Sequence, residues 1–317
     1  MKHMTYDAVA EAIERAQHIL LVTDERSDGD TFGSSLAFRA HLDGKGARVS
    51  HYASSPILES LQFLPGIHGV VRDHALLEDP SVDLVIVFDS SREEFVKKRL
   101  AFHARRTPLI VFDHHASNAH FGDLNLVDPE ASSTCEIVYD YLRHHRADVT
   151  PDIAKCLIAG MMRYTGMLTN DATSVVALAK ASQLLMAGGS MKDVVKHVMR
   201  SVPIEVLRLW GRVLERLVHV PEHSTVVAYV TQEDLDATGT DEKAIAELSD
   251  YFGSTLDAKL VVFLKDLPSR PGVKVSMRAH GVDSTKISKR FPGGGGHPGA
   301  SGFTVQGSLK VVDGVRT

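Results

Sequence analysis

The apolar run Pro108-Leu109-Ile110-Val111-Phe112 does most to restrict what this chain can fold into. Five successive apolar residues without polar alternation predict a strand buried on both faces, as strands are in a parallel sheet. Similar signals precede it. Residues 18–23, 48–53 and 83–88 read as three earlier strands. A helix fits at 33–42, closed by Gly44 and Gly46, and another at 93–103. This βαβ rhythm predicts an α/β fold, a doubly wound parallel sheet with helices on its faces.

The strand ends carry the chemistry. Open α/β sheets bind their ligands at the carboxyl edge, and three of these strands run into acids there. The first meets Asp24-Glu25-Arg26-Ser27-Asp28-Gly29-Asp30, the third meets Asp89, and the run 108–112 meets Asp113-His114-His115. Asp28 and Asp30 flank a glycine, so both carboxylates can turn toward one point. Singly, an Asp-Gly-Asp loop reads as a turn and a strand-end aspartate as a helix cap. Three such ends converging on one sheet edge, with two imidazoles among them, read as a metal site. Hard carboxylates with one or two imidazoles suit Mn²⁺ or Mg²⁺. A shared carboxylate such as Asp89 can bridge two ions about 3.5–4 Å apart.

The second half is organised differently. From about residue 132 to 220 the pattern is helical, with starts at Ser132-Ser133-Thr134 followed by Glu136 and at Pro151-Asp152, and a helix at 173–187 closed by Gly188-Gly189. Strands return at 225–231, 258–264 and 273–278, with helices at 242–251 and 285–291. The expected division is a metal-bearing domain over 1–195, a linking helix over 196–215 and a smaller α/β domain over 216–317. In that last domain Gly293-Gly294-Gly295-Gly296-His297 reads as a loop that can approach a ligand closely and offer N–H groups to an anion. Arg278 ends a nearby strand, while Lys286 and Lys289 read as a solvated helix face.

A net charge of −5 excludes a broad, non-specific nucleic-acid binder but leaves room for a short anionic substrate gripped by local cations. The two cysteines, Cys135 and Cys156, rule out a disulfide framework and predict a cytoplasmic protein. No apolar run approaches the ~20 residues of a membrane span. Among the 17 histidines, the pair His144-His145 sits at a predicted helix end and is read as solvent-exposed rather than ligating.

Taken together, Ser27-Asp28-Gly29-Asp30-Thr31-Phe32-Gly33-Ser34, Asp89, Asp113-His114-His115, Ser132 to Tyr139, Ser276-Met277-Arg278 and Gly293 to Ala300 resemble the motifs of the DHH phosphoesterase superfamily. The similarity is to its branch of bacterial short-oligonucleotide exonucleases (nanoRNases) and pAp phosphatases, which carry a C-terminal DHH-associated domain. The resemblance implies two manganese ions, one on Asp28 and Asp89, the other on Asp30, Asp89 and His114. It implies that Asp113 orients its neighbours and that His115 faces the substrate phosphate. The smaller domain would close an active-site cleft, with Arg278, His297 and Gly294, Gly295 and Gly296 on the far end of the nucleotide. A homodimer through the first domain is a further family expectation. The implied reaction is attack of metal-activated water on phosphorus in a short oligonucleotide, a linear dinucleotide or 3′-phosphoadenosine 5′-phosphate (pAp), so Ser34, Ser133 and Cys135 read as structural.

Two positions depart from the family pattern. Asp24 stands where a histidine ligand is expected, and Arg163-Tyr164-Thr165-Gly166 replaces a Thr-Asp-Thr-Gly segment, putting Tyr164 at a ligand position. A phenol with an ordinary pKa near 10 is a poor ligand. Carboxylates at ligand positions stay at four, Asp24, Asp28, Asp30 and Asp89, but charge moves toward the first ion. The expectation is a retained first ion and a weakened second. The alternative reading is a degenerate homologue that binds nucleotides with little or no turnover.

Overall fold

His18–Thr23 (β1) and Leu84–Phe88 (β3) are buried along their whole length, because each is hydrogen-bonded to a parallel neighbour on both sides. Arg48–Tyr52 (β2), Leu109–Asp113 (β4) and Leu124–Val127 (β5) complete a five-stranded sheet of order β2-β1-β3-β4-β5, all of it parallel. The computed structural model describes residues 2–24, 28–101, 103, 107–165, 168, 173–199, 203–242, 244–245, 248–249, 251–252, 256–267, 272–309, 311–312 and 315–316. The chain divides into two compact units, Met1–Ser201 and Val202–Thr317.

In the first unit the strand order reverses between β1 and β3, the switch point where a doubly wound sheet opens a crevice at its carboxyl edge. Register does the rest. Thr23 lies opposite Phe88, and Phe88 opposite Phe112. The next residue on each strand is therefore Asp24, Asp89 and Asp113, side by side on one edge.

Helices cover the sheet. Lys2–Arg15 (α1), absent from the sequence reading, packs on α4 and β5 through Tyr6, Val9 and Ile13. Gly29–Leu42 (α2) begins four residues earlier than the periodicity predicts, because Asp28 is its N-cap and accepts from the N–H groups of Asp30 and Thr31. Glu93–Arg99 (α3) is shorter than expected, its C-cap at Leu100. Thr134–His144 (α4), Pro151–Tyr164 (α5) and Val175–Met186 (α6) follow, each opened by a Ser or Thr cap. Phe38, Phe88, Phe112 and Tyr141 form an aromatic cluster, with ring centroids 5.0–5.5 Å apart around Phe38.

α2 and α5 make the closest helix contact. Gly33 and Gly160 permit it: a methyl on Gly160 would run into Cys135 Sγ and stand 2.9 Å from the Gly29 carbonyl and 3.0 Å from Asp30 Cα. Gly160→Ala is therefore expected to force the helices apart beneath Asp30. The predicted cost is about 1–3 kcal/mol, the usual range for overpacking, and a denaturant midpoint lowered at unchanged m-value checks it.

The second unit is mixed. Met191–Val194 (α7) and a single π-type turn, Val195–Met199, lie at the end of the first unit, and Ile204–Leu214 (α8) opens the second. The strands are Val218–Val220 (β6), Thr225–Thr231 (β7), Leu260–Asp266 (β8), Val273–Ala279 (β9), Gly295–His297 (β10) and Ala300–Val305 (β11). Their order is β10-β11-β9-β8-β7-β6; β7 and β8 are parallel and the other pairs antiparallel. Two corrections follow. Residues 218–220, expected to be helical, form an edge strand, and the expected glycine loop is in its second half the strand β10. The helix at 285–291 is reduced to Thr285–Ser288 (α9). The expected helix at 242–251 lies partly outside the described residues. Leu209 and Val213 of α8 pack with Leu235, Leu248, Phe252, Val226, Ala228 and Phe263 into a separate core.

Candidate metal centre

The carboxyl edge of the first sheet gathers aspartates that repel one another. Asp30 is 1 % exposed and Asp89 8 %. Burial raises the Asp89 pKa well above the ordinary 3.8, and the charges of Asp30 and Asp28 raise it further. Burial likewise raises Asp30, against the pull of His114. Asp89 also takes a left-handed backbone conformation, φ 60°, which a non-glycine residue adopts at a cost of about 1–3 kcal/mol.

Side-chain and backbone donors from α2 and α4 hold these carboxylates. Thr31 donates its hydroxyl to Asp89 Oδ2 at 2.6 Å, and Thr134 donates its own to Asp89 Oδ1 at 3.1 Å. The backbone N–H groups of Thr134 and Cys135 donate to Asp30 Oδ2 and Oδ1 at 2.7 and 2.9 Å. Asp30 thus receives the positive end of α4, although it is 104 residues away in sequence. The first turn of α4 is braced in turn. Glu136 accepts from the Ser132 N–H and hydroxyl at 2.9 and 2.8 Å, and Lys180 of α6 donates to Glu136 at 2.8 Å and Asp140 at 2.7 Å.

His114 and His115 complete the edge. Asp113, fully buried, accepts on Oδ1 from the His114 N–H at 2.9 Å and from His115 Nδ1 at 2.7 Å. Its Oδ2 accepts from Asn118 at 2.6 Å. The hydrogen bond between His115 Nδ1 and Asp113 Oδ1 raises the His115 pKa above 6.5, against burial. Burial lowers the His114 pKa, which keeps that imidazole neutral. His114 Nε2 stands 3.8 Å from Asp89 Oδ1 and 3.9 Å from Asp30 Oδ2. Asp89, His114 and His115 each offer a donor atom within 4.8 Å of the other two.

This donor set fits a hard divalent cation. The carboxylates raise one another's pKa, His114 is neutral, and the gaps of 3.8–3.9 Å are wider than hydrogen bonds yet spanned by an ion about 2.1 Å from each donor. Asp28, Asp30, Asp89 and His114 are the residues that would hold it. Asp24 is buried at the end of β1 and its charge helps to raise the His115 pKa. The side chain of Tyr164, at the end of α5, lies outside the described residues.

The remaining expected residues belong to the second unit. His297 pairs with Ala300, and Ala300 with Arg278. Directly opposed residues share a face, so Arg278 and His297 lie on one face of that sheet, roughly 10 Å apart across two strand spacings. The glycines divide. A side chain on Gly294 would meet the Ser288 carbonyl, and one on Gly296 (φ 133°) would stand 2.5 Å from the Ala300 carbonyl, so both are demanded by the fold itself. Gly293 and Gly295 face open space.

Among the described residues no helix is long and apolar enough to cross a membrane. Residues 18–161 match the DHH family N-terminal domain and residues 223–315 the DHHA1 domain. A relative from Thermus thermophilus, the bifunctional oligoribonuclease and PAP phosphatase NrnA, is 28 % identical over 301 residues, covering 94 % of this chain and 88 % of the relative. An exopolyphosphatase-related protein from Bacteroides fragilis superposes with a TM-score of 0.85 at 24 % identity, covering 96 % of this chain and 92 % of that one. RecJ from Thermus thermophilus in complex with Mn²⁺ shares the fold at a TM-score of 0.52 and 13 % identity, over 96 % of this chain and 52 % of RecJ. The chain therefore carries a DHH N-terminal domain followed by a DHHA1 domain.

Proposed function

We propose that the chain is a metal-dependent phosphoesterase that hydrolyses short oligonucleotides, linear dinucleotides or pAp, with Mn²⁺ as its ion and Mg²⁺ as a substitute. The observation that carries this reading is the convergence of Asp28, Asp30, Asp89 and His114 on one sheet edge, in donor geometry that suits a hard cation. The name of the Thermus thermophilus NrnA relative, matched over 94 % of this chain, supports the substrate class.

When bound, the ion supplies Lewis acidity toward a phosphoryl oxygen and makes water nucleophilic near neutral pH. The chain's own residues do the rest. Neutral His114 and ionised Asp89 would present lone pairs to such an ion, and Thr31 and Thr134 fix the direction of the Asp89 carboxylate. His115 directs Nδ1–H at Asp113, and this hydrogen bond raises its pKa, favouring the form with a second proton on Nε2. That proton can be donated to the phosphate or its leaving oxygen. In this reading Arg278 and His297, on one face of the DHHA1 sheet, contact the nucleotide, with the backbone of Gly294, Gly295 and Gly296 beside them.

The test is Mn²⁺-supplemented hydrolysis of a dinucleotide and of pAp, run beside a direct binding measurement. Turnover of either substrate is the expected result. Arg278→Ala should raise KM by about tenfold with a smaller change in kcat, since it removes a contact made equally before and during reaction. Tight nucleotide binding with no turnover at saturating Mn²⁺ would overturn the reading in favour of a nucleotide-binding homologue.

A further inference from the structure

A second group of ligand-type side chains lies at the opposite end of α4 from the metal centre. His144 is the last residue of that helix and His145 its C-cap, and both meet Asp7 of α1. One donor atom from each of the three lies within 4.8 Å of the other two. The two histidines are half-buried, not solvent-exposed as the sequence suggests. His144 packs on the Tyr6 ring at 5.2 Å and His145 on the Tyr141 ring at 4.7 Å, and the two imidazoles cross at 89°.

Their hydrogen bonds set the rings for ligation. His145 Nε2 bonds the Tyr6 carbonyl at 3.2 Å. A carbonyl only accepts, so the proton sits on Nε2 and the lone pair on Nδ1. Metal-binding histidines are commonly anchored in this way, the second nitrogen donating to a carbonyl or carboxylate that fixes tautomer and orientation. His144 Nε2 shares a proton with Asp7 Oδ1 at 2.9 Å, a proton that a divalent ion can replace. The C-terminal end of α4 carries the negative pole of the helix dipole, which favours a cation there. A cavity of about 360 Å³ adjoins His145, lined also by His41, Lys45, Asp148 and Thr150, with room for a water or small anion as a further ligand.

We propose that Asp7, His144 and His145 form a binding site for a zinc-class divalent ion, which joins α1 to the C-terminal end of α4. Two imidazoles and one carboxylate suit Zn²⁺, Co²⁺ or Ni²⁺ better than Mn²⁺, the reverse of the carboxylate-rich centre. α4 has 11 residues, so the two sites stand roughly 16 Å apart and share no ligand. Binding would displace the hydrogen held between His144 and Asp7.

The full chain, with its other centre saturated by Mn²⁺, is titrated with Zn²⁺ by calorimetry, and the melting temperature is read with and without Zn²⁺. One further equivalent of Zn²⁺ and a raised Tm are expected. His144→Ala should weaken that equivalent by about 100-fold or more. Asp7→Asn, at a side chain 62 % exposed and so tolerant of change, should weaken it by about tenfold. Neither variant should alter the Mn²⁺ stoichiometry. Zn²⁺ affinity unchanged in both variants, or no Zn²⁺ bound by the wild type, would overturn the proposal. Loss of both ions together would trace the effect to α4 itself and equally overturn it.

Discussion

Replacing Asp89 by asparagine is expected to lower Mn²⁺-dependent hydrolysis by on the order of 10³-fold or more, while making the metal-free protein more stable. The two effects have one cause. Asp89 is buried beside Asp30 and Asp28, and its pKa is raised well above 3.8. Above pH 3.8 the folded chain therefore holds a proton that the unfolded chain releases, so metal-free stability falls as pH rises through the raised value. Asparagine keeps the shape and carries no charge; its one oxygen accepts from one of the Thr31 and Thr134 hydroxyls, and the other hydroxyl turns to accept from the amide N–H. The Tm of metal-free Asp89→Asn should exceed that of wild type at pH 8, by roughly 2–4 °C for each kcal/mol relieved. The gap should close as the pH falls from the raised Asp89 value toward 3.8, where folded and unfolded chains both hold the proton. Saturating Mn²⁺ should reverse the order, since the ion binds the ionised wild-type site and not the variant. A variant less stable than wild type at pH 8 without metal would refute the account of Asp89 as a repelled, metal-seeking carboxylate.

The same contrast separates what the sequence made readable from what it hid. β1, β3 and β4 are continuous apolar runs, so the parallel sheet and its strand-end acids could be read directly. The register that aligns Asp24, Asp89 and Asp113 follows from the sheet, and no single strand encodes it. Ser132-Ser133-Thr134 was readable as a helix start, but not that the backbone N–H groups of Thr134 and Cys135 are aimed at Asp30, a pairing set by how α2, α4 and α5 pack around Gly33 and Gly160. The roles of Thr31, Thr134 and Asn118 were missed for that reason. α1 was missed although Tyr6, Val9, Ile13 and Ala16 recur at helical spacing and are all buried. β10 is hidden because Gly295-Gly296-His297 lacks the β-branched and aromatic residues that mark a strand, and in β11 only Phe303-Thr304-Val305 carries that signal, after the small residues Ala300-Ser301-Gly302.

The double change Asp24→His with Tyr164→Asp carries the second large expectation. α5 meets α2 at Gly160, whose neighbours are the Gly29 carbonyl and Asp30 Cα. Position 164 lies four residues on, one turn further along the same face of α5 and at its last helical residue. By the resemblance to the family's Thr-Asp-Thr-Gly segment, a carboxylate at this position would supply the ligand that the second ion of the family arrangement needs. Asp24→His removes one negative charge from the β1 side, so the total at the ligand positions stays at four carboxylates. The expected result is a rise from one to two tightly held Mn²⁺ per chain and a gain in kcat of about 10²-fold. Tyr164→Asp alone adds a fifth carboxylate to a pocket whose members already repel one another, so its metal-free Tm should fall and recover with Mn²⁺. Two tightly held Mn²⁺ in the unaltered chain would defeat this expectation, because it would mean that the Asp30 side already holds its ion without a carboxylate at position 164.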